Sequence, residues 1–228
     1  MLYKVPLRIR FNRIMLVVFF RLLFLILGRI KITGKENVPK AGAYIVAINH
    51  VSIYDPPLIV AFWPVPPEVV GAVEVWSKPG QATLARLYGG IPIHRQQYDR
   101  EPIVKVISAL RAGRPLVIAP EGTRSHQPGL QAGQPGIAYI IEKCPVPVIP
   151  VGIVGTTEDF LNLALHFQRP KLEIRIGKPI HLDIAEVTRS DRRATRQKNV
   201  DMIMQQIAAL LPDAYQGVYA PVTSEERS

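Results

Sequence analysis

Cysteine is almost absent from the chain, and so are several common motifs. Cys144 is the single cysteine in 228 residues, so no internal disulfide can form and a cytosolic-side location is allowed. The five histidines, at 50, 94, 126, 166 and 181, lack close zinc-ligand spacing. There is no Gly-x-Ser-x-Gly elbow, zinc-finger spacing or RNA-recognition aromatic box. These absences disfavour a lipase or esterase and a zinc enzyme, and they predict no nucleic-acid partner.

Acidic residues are also few. Asp and Glu number 18 against 28 Lys and Arg, which gives a formal charge of +10. A surplus of this size indicates an anionic partner, such as acidic lipid headgroups, phosphorylated small molecules or nucleic acid. With 48% hydrophobic residues, the chain has enough apolar surface to form a folded core.

The N-terminal segment is strongly apolar. Residues 14–27 contain one charge, Arg21, and as a helix they would be about 21 Å long, short of the roughly 30 Å hydrocarbon core. A signal peptide, a spanning helix and a buried core helix are the alternatives. We predict a helix within one leaflet, because Arg10, Arg13 and Arg21 fall within about 80° of one another and could face headgroups. Residues 1–29 then form a membrane-associated helix, and residues 30–228 a separate α/β domain.

Short apolar runs alternate with helical patterns in the rest of the chain. This alternation predicts an α/β fold with a mixed, largely parallel sheet flanked by helices. The predicted strands are 44–48, 69–73, 91–94, 116–119, 148–153 and 172–176. The predicted helices are 56–61, 81–88, 100–112, 136–143 and 191–211.

A histidine and an aspartate follow the first predicted strand in the block Asn49-His50-Val51-Ser52-Ile53-Tyr54-Asp55-Pro56. On one continuous helix, His50 and Asp55 would lie about 140° apart. They can meet only if His50 is in a loop and Asp55 near a helix start, which Pro56 favours. The spacing leaves two interpretations of Asp55 open. It is either the partner of a general base, His50, or a helix N-cap.

Two further strand ends carry polar clusters. The segment Glu121-Gly122-Thr123-Arg124-Ser125 follows one strand, and Arg95 ends another. Gly122 permits close backbone approach to a ligand, and Arg124 offers a bidentate fork for phosphate. Carboxyl ends of strands meet at one edge in α/β folds, so these clusters are expected to share a site.

Four ordered blocks resemble the glycerolipid acyltransferases typified by bacterial 1-acylglycerol-3-phosphate acyltransferases. Asn49 to Asp55 is similar to the family's Asn-His-x4-Asp block. The segments 89–95, 121–125 and 148–152 are similar to its Gly-x-Ile-x-Ile-x-Arg, Glu-Gly-Thr-Arg-Ser and proline-centred blocks. The resemblance covers about residues 34–177, and the apolar N-terminus is similar to the family's membrane anchor. One departure is Val73, where members often carry lysine before the glutamate that corresponds to Glu74.

The resemblance implies a function and roles. The chain would transfer an acyl group from acyl-CoA or acyl carrier protein, with no other cofactor or metal, to the sn-2 hydroxyl of 1-acylglycerol-3-phosphate. The product is phosphatidic acid, a phospholipid precursor. His50 would be the catalytic base and Asp55 its partner, with substrate bound by Asn49, Arg95, Glu121, Gly122, Thr123, Arg124 and Ser125. Anionic lipids at the cytoplasmic face of the cell membrane would be partners. The alternatives are another lysophospholipid or polar-lipid acceptor, or a lipid hydrolase that uses Ser52.

Overall fold

The computed structural model describes residues 3–94, 99–182 and 191–221. The strands in these ranges form one mixed sheet. The seven strands are β1 (Arg29–Thr33), β2 (Ile45–Ile48), β3 (Glu68–Ala72), β4 (Ile91–Ile93), β5 (Leu116–Ile118), β6 (Val148–Val154) and β7 (Lys171–Ile176). Their order across the sheet is β1-β7-β6-β2-β5-β3-β4. Neighbouring strands are parallel except β6 and β7, which are antiparallel. The α/β prediction with a largely parallel sheet is confirmed.

Helices cover both faces of this sheet. They are α1 (Leu7–Leu27), α2 (Asp55–Phe62), α3 (Gln81–Tyr88), α4 (Arg100–Arg111), α5 (Gly136–Lys143), α6 (Phe160–Leu165), α7 (Arg192–Ala208) and α8 (Asp213–Gln216). In the buried strand β2, Ile45 and Ala47 join a core with α4, α5 and α7, while Val46 and Ile48 join a second core with α1, α2 and α6. Alternate residues of a strand face opposite sides, so both faces of β2 must be apolar.

The predicted elements match the observed ones to within a few residues, with differences at β1, α6, α8 and Val73. Strand β1 was not predicted, because three of its five residues, Arg-Ile-Lys-Ile-Thr, are charged or polar, as suits an edge strand that is only partly buried. Helices α6 and α8 were not predicted either. Val73 lies in a short 3-10 helix, Val73–Ser77, rather than in β3.

Helix α1 is longer than the predicted segment, and its three arginines do not all face outward. It has 21 residues, or about 32 Å. The prediction that its arginine stripe faces headgroups is wrong for Arg13, which is only 2% exposed. Arg21 Nε donates to the carbonyl of Ala61 in α2 at 2.8 Å. The buried guanidinium of Arg13 needs partners, which Glu68 of the sheet and the carbonyl of Tyr88 supply, whereas Arg21 makes its bond to α2 from an exposed position.

A buried ion pair fixes α1 to the sheet. Arg13 donates two hydrogen bonds, of 2.8 and 2.6 Å, to the carboxylate of Glu68 in β3. Arg114 and Tyr3 bond the same carboxylate. Burial alone would raise the pKa of Glu68, but hydrogen bonding and the charge of Arg13 outweigh burial and hold that pKa below its ordinary value.

The outward side of α1 is apolar. Its exposed large side chains are Leu7, Phe11, Ile14, Met15, Val18, Phe19, Leu22, Leu25 and Ile26. They recur at the three- and four-residue spacing of one helix face. No helix in the described ranges has both the length and the hydropathy that crossing a bilayer requires.

Candidate active site

His50 leaves the sheet just beyond the end of β2. The strand ends at Ile48, and α2 begins at Asp55, so residues 49–54 form the connecting loop. Pro56 and Pro57 occupy the first turn of α2, where missing backbone N–H groups cost nothing. The loop therefore brings His50 back over the start of the helix, as the spacing predicted.

The two side chains form a hydrogen-bonded pair. His50 Nδ1 lies 2.8 Å from Asp55 Oδ2, and the backbone N–H of Ser52 donates to the same oxygen at 2.8 Å. Asp55 makes no side-chain cap of α2, so the interpretation of this residue as an N-cap does not apply. The side chain of Asp55 is 0% exposed and that of His50 is 18% exposed, so the carboxylate lies behind the imidazole. Nδ1 faces Asp55, which leaves Nε2 to face a substrate.

One oxygen of Asp55 has no hydrogen-bond partner among the described residues. Burying an unpaired carboxylate oxygen is unfavourable, and such groups call for an explanation. A carboxylate with a single imidazole partner is suited to stabilising positive charge on that imidazole.

Asn49 lies inside the protein rather than at the surface of the site. Its Nδ2 donates to the carbonyl of Ile153 at 2.9 Å, and its Oδ1 accepts from the N–H of Ile153 at 2.7 Å. This two-way contact ties the end of β2 to β6. The structure therefore gives Asn49 a positioning role, and the substrate contact predicted for it stays a prediction.

Glu121 also points inward. Its carboxylate accepts from the N–H of His50 at 2.8 Å and from the N–H of Gln131 at 2.8 Å. Burial raises the pKa of Glu121 to about 7, although the two backbone donors act to lower it. The side chain is buried and fixes the backbone of His50, and the substrate contact predicted for Glu121 stays a prediction.

The rest of the Glu121–Ser125 segment reaches the surface of the site. Gly122 has φ 70°, a conformation that favours glycine. The N–H of Ser125 donates to the carbonyl of His50 at 2.9 Å, so the segment is bonded to the histidine loop. Thr123 and Arg124 are partly exposed, and within the described residues no carboxylate pairs with the Arg124 guanidinium. Arg124 remains a candidate for binding an anion.

Arg95 lies outside the described residues. The strand before it, β4, ends at Ile93 and runs parallel to β3. Strands β2, β5, β3 and β4 are mutually parallel neighbours, so their carboxyl ends share the edge that carries His50, as predicted.

An apolar cavity of about 250 Å³ opens beside His50. Helices α1, α2 and α3 and strand β3 enclose it, with His50, Arg124, Glu74 and Lys78 as polar groups in its lining. Its apolar lining includes Leu16, Phe20, Val60, Val69, Val75 and Trp76. Sequence reasoning missed this cavity. The one feature of the sequence that indicates the cavity is Gly71, a glycine within a strand. A Cβ at this position would lie 3.2 Å from Cζ3 of Trp76.

Metal ligands are not assembled at this site. In residues 3–94, 99–182 and 191–221, no group of three or more His, Cys, Asp or Glu side chains could hold a metal ion. His94, at the same sheet edge, faces Asp99 at 3.8 Å.

The fold is similar to that of a solved structure. The 1-acyl-sn-glycerophosphate acyltransferase of Thermotoga maritima matches with a TM-score of 0.60 and 24% identity, over 82% of this chain and 76% of that one. At this identity the likeness is evidence of fold alone.

Sequence relatives agree with one another in name. The 1-acyl-sn-glycerol-3-phosphate acyltransferase of Borreliella burgdorferi is 26% identical over 59% of this chain, which spans 54% of that protein. The enzyme of the same name from Bacillus subtilis is 25% identical over 73% of this chain and 82% of its own. The sequence profile of the Acyltransferase family matches residues 29–154, which is more than half of the chain and includes the His50–Asp55 loop, the Glu121–Ser125 segment and the cavity's strands. The chain belongs to the acyltransferase family.

Proposed function

We propose that this protein transfers a fatty acyl group from an acyl thioester to the sn-2 hydroxyl of 1-acylglycerol-3-phosphate, making phosphatidic acid for phospholipid synthesis. The His50–Asp55 pair at the mouth of an apolar cavity carries the proposal. The names of the relatives support the acceptor. Acyl-CoA and acyl carrier protein are both suitable donors.

The reaction needs one base and one acid. Nε2 of His50 takes the proton of the acceptor hydroxyl as the oxygen attacks the thioester carbonyl. The C–S bond then breaks, and the thiolate leaves with the proton that Nε2 gives back. Asp55 holds Nδ1–H and stabilises the imidazolium between the two steps. Asn49 and Glu121 keep the loop in register, which fixes Nε2 relative to the cavity.

The cavity and Arg124 divide the substrates by chemistry. Acyl chains gain about 0.8 kcal/mol for each CH₂ that they bury, and the cavity beside His50 is mostly apolar. The guanidinium of Arg124, which pairs with no carboxylate of the described residues, lies at the same mouth and suits a phosphate group. A hydroxyl between an acyl chain and a phosphate is the arrangement found in 1-acylglycerol-3-phosphate.

Membrane attachment is part of the proposal. The exposed apolar face of α1 gives the chain a surface that water does not favour, and the net charge of +10 favours anionic lipid. The protein would lie on the cytoplasmic face of the cell membrane as a peripheral or monotopic protein. Its acceptor would reach the cavity from the same leaflet.

A hydrolase that uses Ser52 is less well supported. Ser52 Oγ accepts from the N–H of Tyr54 at 3.1 Å, and across the described residues no serine hydroxyl is hydrogen-bonded to the imidazole of His50. A nucleophilic serine needs such a bond to its base. Another lysophospholipid acceptor fits the same cavity. The contribution of Arg124 to binding phosphate-headed and other acceptors distinguishes that alternative from our proposal.

The test is acyl transfer by the purified full chain. Labelled acyl-CoA and acyl carrier protein thioester are offered with 1-acylglycerol-3-phosphate, lysophosphatidylcholine or water as acceptor. We expect labelled phosphatidic acid as the main product with at least one donor. Free fatty acid as the main product would indicate a hydrolase, and preferred use of lysophosphatidylcholine would reject the phosphate-headed acceptor.

A further inference from the structure

The turn after α6 holds a large apolar side chain in solvent. Phe167 is 92% exposed, and Leu165, two residues earlier, is 64% exposed. Single exposed apolar residues are common, but Phe167 is exposed in a conformation that phenylalanine rarely adopts. Its φ is 59°, in the left-handed region that favours glycine.

Phe167 occupies the position where helices commonly end in glycine. Its N–H donates to the carbonyl of Ala164 at 3.0 Å, and the N–H of Gln168 donates to that of Leu163 at 3.1 Å. This pair of bonds is the Schellman motif, whose left-handed residue is usually glycine. A phenylalanine here costs stability and gains little packing, which favours a function for its exposed ring.

The turn is fixed to the end of α1. Arg169, also at positive φ, donates from Nη2 to the carbonyls of Leu25 and Gly28 at 2.8 and 3.2 Å. The N–H of Arg29 donates to the carbonyl of Pro170 at 3.0 Å. Below the turn, Phe24 packs on Phe160 with ring centroids 5.9 Å apart. The backbone of the turn that carries Phe167 is therefore held against the end of α1.

The location of this turn connects it with the candidate active site. Phe160 packs against Tyr54, the residue before Asp55, with ring centroids 5.2 Å apart. The turn leads into β7, which is antiparallel to β6 and starts beside the carboxyl end of β6, and β6 is parallel to β2, so the turn lies at the sheet edge that carries His50. Leu22, Leu25 and Ile26 of α1 are exposed near the same corner.

We propose that Leu165, Phe167 and Leu161 of α6, which is 40% exposed, form a second membrane-insertion point, which works with the C-terminal end of α1 and orients the His50 edge toward the lipid surface. The inference rests on the proposed function, which makes a lipid the acceptor. Exposed Arg29 and Arg169 flank the corner, and cations there suit an anionic bilayer. Among the nearby acids, Asp159 is exposed and Glu158 is paired with His126 at 2.7 Å.

Binding of the full chain to phosphatidylglycerol–phosphatidylcholine vesicles tests this proposal. Phe167→Gly is expected to weaken binding about tenfold, because an aromatic side chain leaves the interface. The same change suits the left-handed conformation, so the thermal unfolding temperature should stay equal or rise. Phe167→Trp keeps an aromatic ring that favours the interface and should bind as wild type does. Val104→Gln, in α4 on the other face of the sheet, is the matched control and should also bind normally.

Two outcomes would overturn the insertion point. One is unchanged vesicle binding by Phe167→Gly. The other is loss of self-association in that variant without a change in vesicle binding, which would assign the surface to a second copy of the chain. Phe167→Cys carrying a fluorophore gives an independent reading, since the native Cys144 is buried. Quenching by lipids labelled near the headgroup supports insertion, and absence of quenching opposes it.

Acyl transfer in detergent micelles separates this inference from the proposed function. Phe167→Gly should transfer there at the wild-type rate, because no bilayer is needed. Failure of the wild-type protein to transfer would reject the proposed function, and the vesicle data would still decide on Phe167. Loss of transfer in micelles by Phe167→Gly alone would oppose a role confined to the bilayer.

Discussion

At the scale of single residues, His50 and Asp55 have separable roles. His50→Ala should lower kcat by roughly 10²–10⁴, because no other described side chain takes its place against Asp55. Asp55→Asn should lose most activity too, since an amide cannot stabilise the imidazolium as a carboxylate does. Steady-state transfer rates and far-UV circular dichroism check both variants.

The asparagine variant distinguishes the proposed role from a structural one. Asn has nearly the shape of Asp but no negative charge, so wild-type turnover in Asp55→Asn would reject the base–carboxylate mechanism. Ser52→Ala is the matched control within the same loop. Across the described part of the chain its hydroxyl is hydrogen-bonded only to the N–H of Tyr54, and the variant should keep most activity if no serine nucleophile is involved.

Arg124 should govern discrimination between acceptors. Arg124→Ala is expected to raise the KM for 1-acylglycerol-3-phosphate tenfold or more, because a hydrogen bond to a charged group is worth about 1.5–3 kcal/mol. The KM for lysophosphatidylcholine should change less. Arg111→Ala, on α4, serves as a control for the loss of one positive charge. An equal rise for both acceptors in Arg124→Ala would argue against phosphate binding.

Glu121 should make stability depend on pH. Its pKa is raised from 4.5 to about 7 in the folded protein, so between these values the unfolded chain releases a proton that the folded chain keeps. Stability from this residue is present below pH 4.5 and is lost as the pH rises through about 7, by roughly 3 kcal/mol. Urea unfolding of wild type and Glu121→Gln from pH 4.5 to 8 measures it. Parallel curves for the two proteins would contradict the shift.

At the scale of elements, the contact between α1 and β3 depends on the buried pair Arg13–Glu68. Glu68→Gln should lower the free energy of unfolding by about 3 kcal/mol, because it leaves the charge of Arg13 buried without a counter-ion. The double variant Arg13→Met, Glu68→Gln should recover part of that loss. Urea denaturation of the two variants measures both effects.

A more exposed ion pair offers the control for this element. Arg196 and Glu142 join α7 to α5 with side chains 25% and 22% exposed, against 3% and 0% for Arg13 and Glu68. Glu142→Gln should therefore cost about 1 kcal/mol or less. Equal losses for the two glutamine variants would show that burial of the α1 pair is not what makes it important.

At the scale of the whole molecule, α1 faces in two directions. Its inner side supplies Arg13 and Phe24 to the protein interior, so removing residues 1–28 would damage the fold as well as any membrane contact. The variant Phe11→Gln, Met15→Gln, Phe19→Gln changes only exposed side chains. It should reduce vesicle binding by tenfold or more while keeping the wild-type unfolding temperature.

The effect of salt distinguishes the electrostatic part of membrane binding from the apolar part. Charge attraction weakens with ionic strength, whereas burial of apolar side chains does not. High salt should therefore release the wild-type protein only partly from anionic vesicles, and detergent should release it fully. Complete release by salt alone would show that the apolar face of α1 does not enter the bilayer.

The sequence by itself determined the alternating α/β pattern, most strand and helix bounds, the loop that brings His50 to Asp55, and the family. These features depend on local periodicity, proline positions and motif order, which are readable along the chain. The sequence placed Arg13 wrongly, because the helical periodicity that groups Arg10, Arg13 and Arg21 does not show whether one of them faces lipid or binds Glu68.

Only the tertiary structure decided where long-range partners lie. Asn49 and Glu121 each bind the backbone of a residue that lies far away in the sequence, by 104 and 71 positions respectively. No local pattern predicts such pairs. The cavity exists because α1, α2 and α3 meet over β3, and only the folded chain shows that the ring of Phe167 is exposed. Polar groups that are buried on folding need hydrogen-bond partners, and the fold decides which groups are near enough to supply them. A motif therefore predicts the chemistry of a residue, whereas packing decides which residues meet the substrate.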